Sequence, residues 1–167
     1  MADLRAAVEG LGHADVATYV QSGNVVLTAS GRPSASALAS DLRAAIEKQA
    51  GIDPLVIVLT ATEWDDVIDS NPYPDETDGT KLHAVVAQDA YSDAQRRAAE
   101  ELRDAVCDSG SDDDLTVVGR VLYLHLPNGM GRSKLAEKLG RSKSAGQREA
   151  TARNWRTVLA LREKLRV

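Results

Sequence analysis

A chain of 167 residues, 43% hydrophobic and 27% charged, is long enough to bury a core, and this composition excludes a disordered, collagen-like or disulfide-scaffold protein. No apolar run approaches the roughly 18 residues that suggest a membrane span, no cationic start leads into a cleavable apolar segment, and the one cysteine, Cys107, has no partner for an intramolecular disulfide, so a cytoplasmic location is expected. The formal net charge of −5 is unevenly placed: residues 120–167 carry 12 Lys and Arg against Glu137, Glu149 and Glu163, whereas the remainder carries 8 basic and 22 acidic residues.

Leu4, Val8 and Leu11 recur at helical spacing and Gly12 follows as a stop, so the chain opens inside a helix. Thr18–Gln21 and Asn24–Thr28 are strand-like around Ser22-Gly23 and predict a hairpin. Ser34 or Ser36 caps a helix with Leu38, Leu42, Ala45 and Ile46 on one face, ending at Gly51. Leu55–Leu59, between Pro54 and Thr60, is expected to be a buried strand. Thr62 opens a short helix through Ile68, and Asn71-Pro72-Tyr73-Pro74 with the polar run to Thr80 reads as a linker.

After the linker the pattern repeats with clearer signals. Leu82–Ala87 is a strand, and Ser92 with Gln95 forms a capping box for a helix bearing Ala98, Leu102 and Val106. The acidic run Asp108, Asp112, Asp113 and Asp114 lacks the spacing and closing Glu of a calcium loop and reads as a solvated turn. Leu115–Val118 and Val121–Leu126 flank Gly119-Arg120 as a second hairpin; Ser133–Leu139 is a helix, Ala150–Ala152 an extended piece, and Trp155 opens the last helix.

The second half thus reads β, α, β, β, α, β plus a helix, the split βαβ order of a ferredoxin-like domain. The first half has that order without its opening strand. The fold class expected is α+β, two tandem ferredoxin-like units with the first incomplete: residues 1–70, a linker at 71–80, and 81–167. Because the first strand is central in that topology, either a longer chain or another chain is expected to supply it, and the open strand edges allow a homo-oligomer.

The hairpin TYVQSGNVV, the stretch YLHLPNGMGRSKL and the late ARNWRTV resemble the domain of unknown function 1697 family in motif order over nearly the whole chain. The resemblance implies two ferredoxin-like units in tandem and an upstream strand with an Arg-Gly-x-Asn-x-Gly-Gly type segment, which this sequence lacks. It implies no activity.

The most suggestive segment for function is Asn128-Gly129-Met130-Gly131-Arg132-Ser133-Lys134, which joins a strand to a helix. Two glycines let a ligand approach the backbone, a helix N-terminus offers N–H groups, and Arg132 and Lys134 add positive charge, so a phosphate or carboxylate fits there. It is neither a Walker A loop nor a dinucleotide fingerprint, and the alternative is a turn with Ser133 as a helix cap. Arg153, Asn154 and Trp155 are expected beside this loop as phosphate, polar and stacking contacts, or else as a helix cap and core. Gln21, Ser22 and Asn24 form a polar hairpin tip that suits a binding edge or an ordinary turn.

His13, His83 and His125 are far apart without metal-ligand spacing, so no metal is expected, and no cofactor motif is present. His125 is the candidate general acid or base, against a reading as a half-buried bonded histidine. No nucleophilic constellation is visible. The reading carried forward is a binding protein for a small phosphorylated ligand or nucleotide. The alternatives are a nucleic-acid-binding protein using the basic C-terminal third, and an enzyme of unassigned chemistry on a phosphorylated substrate; against the nucleic acid, only Tyr123 is aromatic in the 115–126 hairpin.

Overall fold

Side-chain caps and glycines fix most of the element boundaries. The computed structural model describes residues 2–19, 23–142, 145 and 149–166. Helix α1 (Ala2–Glu9) leads into an antiparallel hairpin, β1 (Ala14–Tyr19) and β2 (Asn24–Thr28). Helix α2 (Ala35–Ala50) begins where Ala37 N donates to Ser34 Oγ at 3.2 Å and ends at Gly51, whose φ of 67° lets its N–H reach the Glu47 carbonyl. Helix α3 (Ala61–Asp69) starts two residues earlier than its Thr62 signal suggests, because Thr60 and Glu63 cap each other's backbone N–H groups at 2.7 and 3.2 Å.

Strand β3 (Leu82–Ala87) follows, then α4 (Asp93–Cys107) with the Ser92–Gln95 capping box in place. Strands β4 (Asp114–Val118) and β5 (Val121–His125) turn at Gly119. A 3-10 turn at Met130–Arg132 runs into α5 (Lys134–Arg141), and β6 (Ala150–Asn154) passes directly into α6 (Trp155–Leu165). The result is a mixed α+β protein with two antiparallel sheets and six α-helices among the described residues. No helix of the described residues is long and apolar enough to cross a membrane.

The chain divides into two compact units, Met1–Trp64 with Ala160–Val167, and Asp65–Leu159. In the second, the four strands run in the order β4-β5-β3-β6, every neighbour antiparallel, with β3 bonded on both edges. One sheet face, carrying Leu115, Val117, Leu122 and Leu124, packs against Ala99 and Val106 of α4 and Leu135 and Leu139 of α5. The opposite face carries Leu82, Ala84, Val86 and Tyr123, all buried, and the Tyr123 hydroxyl donates to the Val67 carbonyl at 2.7 Å. Burying this phenol raises its pKa to about 12.

In the first unit, α1 and α2 cover one face of the hairpin through Val8, Leu38 and Leu42 against Val16, Val25 and Leu27. The buried strand expected at Leu55–Leu59 is not there. The segment belongs to no sheet, and only Val56 and Val58 turn toward the core while Leu55 is 46% exposed. The second unit supplies the reason: its last strand, β6, pairs with β3 alone, and among the described residues the first unit has no strand in the corresponding place.

Candidate functional site

Strand β5 ends at His125, and the chain leaves the sheet through Leu126, whose N–H donates to the Lys81 carbonyl at 2.7 Å. Gly129 then adopts φ 81° and ψ 156°, a conformation closed to side-chain-bearing residues without strain, and donates its N–H to the Leu126 carbonyl at 2.8 Å. A Cβ built on Gly129 or Gly131 would meet no atom within 4 Å, so both glycines face open space. Asn128, Arg132 and Lys134 are exposed, and among the described residues neither cation forms an ion pair.

The helix N-terminus itself is filled from within the protein. Ser133, 5% exposed, caps α5 by accepting from Ala136 N at 2.9 Å, and its hydroxyl donates to Asp113 Oδ2 at 2.8 Å. Asp113 is 2% exposed and also receives the longer bond from Leu135 N at 3.5 Å. The carboxylate of the α4–β4 connection thus sits where the helix dipole favours negative charge. This corrects the reading of the acidic run as a solvated turn: Asp113 is buried because it has Ser133 and the start of α5 to bond, whereas Asp108 and Asp112 remain exposed. Arg132 and Lys134 flank this capped end from the solvent side.

The residues expected beside the loop are elsewhere engaged. Arg153 pairs in register with Ala84, on the sheet face opposite α4 and α5, and its guanidinium donates to Thr151 Oγ1 and to the Ala152 carbonyl at 2.8 Å. Burial lowers its pKa from the ordinary arginine value. Asn154 caps α6, accepting from Thr157 N at 2.9 Å, and Trp155 is core. At the hairpin tip, buried Asn24 donates its amide to the Tyr19 carbonyl at 3.0 Å; Gln21 and Ser22 lie outside the described residues.

His125 occupies the face opposite α5, paired in register with Leu82 and Asp114. Its Nε2 lies 2.9 Å from Glu76 Oε2, and its ring stacks on Tyr73 with centroids 5.2 Å apart. Tyr73 reaches Thr116 Oγ1 at 3.1 Å, and burial raises its phenol well above the ordinary tyrosine value. Glu76 is held below the ordinary carboxylate value, first by the His125 bond and second by the Asp78 backbone N–H at 2.7 Å. These contacts strap the segment after α3 across the open end of β4 and β5. Sequence reasoning missed Glu76 and Tyr73 because their partners are more than 40 positions away. It also missed Gly79, whose Cβ would lie 2.9 Å from Arg156 N while its carbonyl accepts from Trp155 N at 3.0 Å; the signal present was only a glycine in a polar linker. No cluster of three metal-ligating side chains exists among the described residues.

A family profile described as protein of unknown function, DUF1697, matches residues 1–123. No curated protein matches the chain. Among solved structures, the conserved bacterial protein SP0830 from Streptococcus pneumoniae is similar at a TM-score of 0.67 and 17% identity, covering 100% of this chain and 89% of that one. Identity at that level speaks to the fold.

Proposed function

Because the chain belongs to the DUF1697 family of proteins of unknown function, we propose from its own residues that it binds a small phosphorylated ligand or nucleotide at Gly129–Lys134. One observation carries this reading: exposed Arg132 and Lys134, without ion pairs among the described residues, stand where two glycines leave the backbone uncovered. Since Asp113 and Ser133 already cap α5, the anion is held beside the helix end by the two side chains, as charge-assisted bonds to phosphate oxygens. Arg153 and Asn154, committed to β6 and to the α6 cap, are not contacts in this reading.

The scaffold fits two ferredoxin-like units in tandem. The order β4-β5-β3-β6 in a β-α-β-β-α-β chain is that of the split βαβ arrangement, and α1, β1, β2, α2 and the extended Leu55–Leu59 follow the same succession from its second element. The nucleic-acid alternative lacks support from the sheet, because Tyr123 is fully buried and cannot stack on a base. The enzymatic alternative is favoured by the 2.9 Å Glu76–His125 contact, in which a carboxylate orients an imidazole.

Thermal-shift titration against inorganic phosphate, sugar phosphates and nucleotides tests the binding reading. A ligand at about 100 times its dissociation constant adds roughly 2.7 kcal/mol of stability. The shift is expected to vanish in Arg132→Ala and Lys134→Ala, whose exposed side chains leave the fold intact. An unchanged shift in both variants would place the ligand elsewhere.

A further inference from the structure

The outer faces of α4 and α5 carry opposite charge. Along α4 and its C-cap, Glu101, Asp104 and Asp108 follow at intervals of three and four residues, all exposed. Along α5, Lys134, Lys138 and Arg141 follow at intervals of four and three, also exposed. Each stripe covers the same length, about 10 Å of helix. Asp104 is tied to Arg103 at 2.8 Å and Arg141 to Glu137 at 2.9 Å, whereas Glu101, Asp108, Lys134 and Lys138 form no ion pair among the described residues. Arg97, the exposed cation of α4, lies a further turn back, outside the acidic stretch.

The topology of the second unit sets these stripes side by side and in opposite directions. Strands β3 and β4 both run antiparallel to β5, so α4, which joins them, runs back against both; β5 and β6 both run antiparallel to β3, so α5 runs back against that pair. The two helices cover one sheet face and are antiparallel to each other. Asp113, just beyond α4, accepts from Ser133, the cap of α5, at 2.8 Å, so the end of α4 at Asp108 and the start of α5 at Lys134 share one end of the sheet. The outer surface of this helix layer is thus acidic along one helix and basic along the other, with the two stripes level.

We propose that this layer is a salt-sensitive self-association surface whose partner is a second copy of this chain, the acidic stripe of α4 in each copy meeting the basic stripe of α5 in the other. A two-fold axis parallel to the helices brings α4 of one copy against α5 of the next, antiparallel and without a change of level, and makes the two contacts equivalent. The spacings then match position for position: Asp108 faces the partner's Lys134, Asp104 faces the partner's Lys138 and Glu101 faces the partner's Arg141. A two-fold axis perpendicular to the helices sets α4 on α4 and α5 on α5, like charge on like, so the pattern also selects against the competing geometry. An extended nucleic-acid backbone is the poorer fit, because its phosphates would lie one helix spacing, about 8–10 Å, from the carboxylates of α4. The apolar side chains Ala99, Val106, Leu135 and Leu139 are spent on the sheet, so charge alone carries the contact. Exposed ion pairs contribute little singly, which makes the dimer transient and dependent on ionic strength.

Sedimentation equilibrium on the 167-residue chain reads the association. At about 0.01 M salt, where the Debye length is about 30 Å, the average mass is expected to rise with concentration toward twice that of the monomer; at about 1 M, where it is about 3 Å, the monomer mass is expected throughout. Two double variants reverse one stripe each: Lys138→Glu with Arg141→Glu, both outside the Gly129–Lys134 loop, and Glu101→Lys with Asp108→Lys. Each alone is expected to be monomeric at low salt, since like charges then meet across both contacts. Mixed in equal amounts, the two are expected to pair one to one, on the order of tenfold more tightly than the parent chain, because an acidic layer meets a basic one. A parent chain that stays monomeric at every concentration in low salt, an association that persists at about 1 M salt or in either variant alone, or a mixture that does not associate would overturn the proposal.

Discussion

Ser133→Ala removes a hydroxyl that makes two bonds at once. Its oxygen caps α5 by accepting from Ala136 N at 2.9 Å, and its proton goes to Asp113 Oδ2 at 2.8 Å in a site where the two residues are 5% and 2% exposed. Loss of the cap costs about 0.5–2 kcal/mol. Loss of a hydrogen bond to a buried charged group costs about 1.5–3 kcal/mol, because the 3.5 Å bond from Leu135 N is too long to compensate. The two contributions share one atom, so the expected total is about 2–4 kcal/mol, a fall in Tm of roughly 5–15 °C for a chain of this size. Asp113→Asn keeps the volume and an acceptor and loses only the charge-assisted part, about 1–2 kcal/mol. Thermal and urea melts of both variants and of the double variant are the assay. The double variant is expected to lose less than the sum, since Ser133→Ala removes outright the bond that Asp113→Asn only weakens. A Ser133→Ala protein within about 0.5 kcal/mol of the parent, or strictly additive losses, would refute the account of this helix end.

Four further outcomes follow from the geometry. Asp113→Asn, though less stable, is expected to bind phosphate about two- to fivefold more tightly, since it removes a negative charge near Arg132 and Lys134; weaker binding by titration calorimetry would contradict that. Gly129→Ala meets no steric obstacle and is expected to cost about 1–3 kcal/mol through its φ of 81° alone, whereas Gly79→Ala must displace the Arg156 backbone at 2.9 Å and should destabilise by direct collision; urea melts of the two measure both. Glu76 has a folded-state pKa below its ordinary value of 4.5, so its contribution is complete above that value and is lost as pH falls through the folded pKa; Glu76→Gln should flatten the acid limb of a Tm-against-pH curve. His83 is depressed below 6.5 by burial, its buried Nδ1 having no hydrogen-bond partner among the described residues, so the folded state resists its protonation and stability falls as pH drops through 6.5 toward the folded value; His83→Leu should remove that part of the slope.

Local chemistry made much of the fold legible. Leu82–Ala87, apolar apart from His83, proved to be the doubly bonded strand, and the Ser92–Gln95 and Ser34 caps open the helices their spacing predicts. Leu55–Leu59 misled because composition reports strand propensity while a strand also needs a neighbour, and no strand among the described residues pairs with this segment. At the candidate site the loop glycines and cations were readable, since each lies within seven consecutive positions. The role of Asp113 was not, because its partner Ser133 is 20 residues away and exposed aspartates surround it in sequence. Arg153 was misplaced for a related reason: in a strand, one position decides the face, and the register of β6 on β3 sets Arg153 beside Ala84.

The central claim is that an anion binds at Gly129–Lys134 beside, and not on, the capped end of α5. Amide shift mapping during a titration with inorganic phosphate, then with a nucleotide, tests it most directly. The account predicts changes concentrated on Gly129–Lys134, abolished in Lys134→Ala, with Asp113 and Ala136 little affected. Changes clustered around other basic residues, or no saturable change at millimolar phosphate, would contradict it.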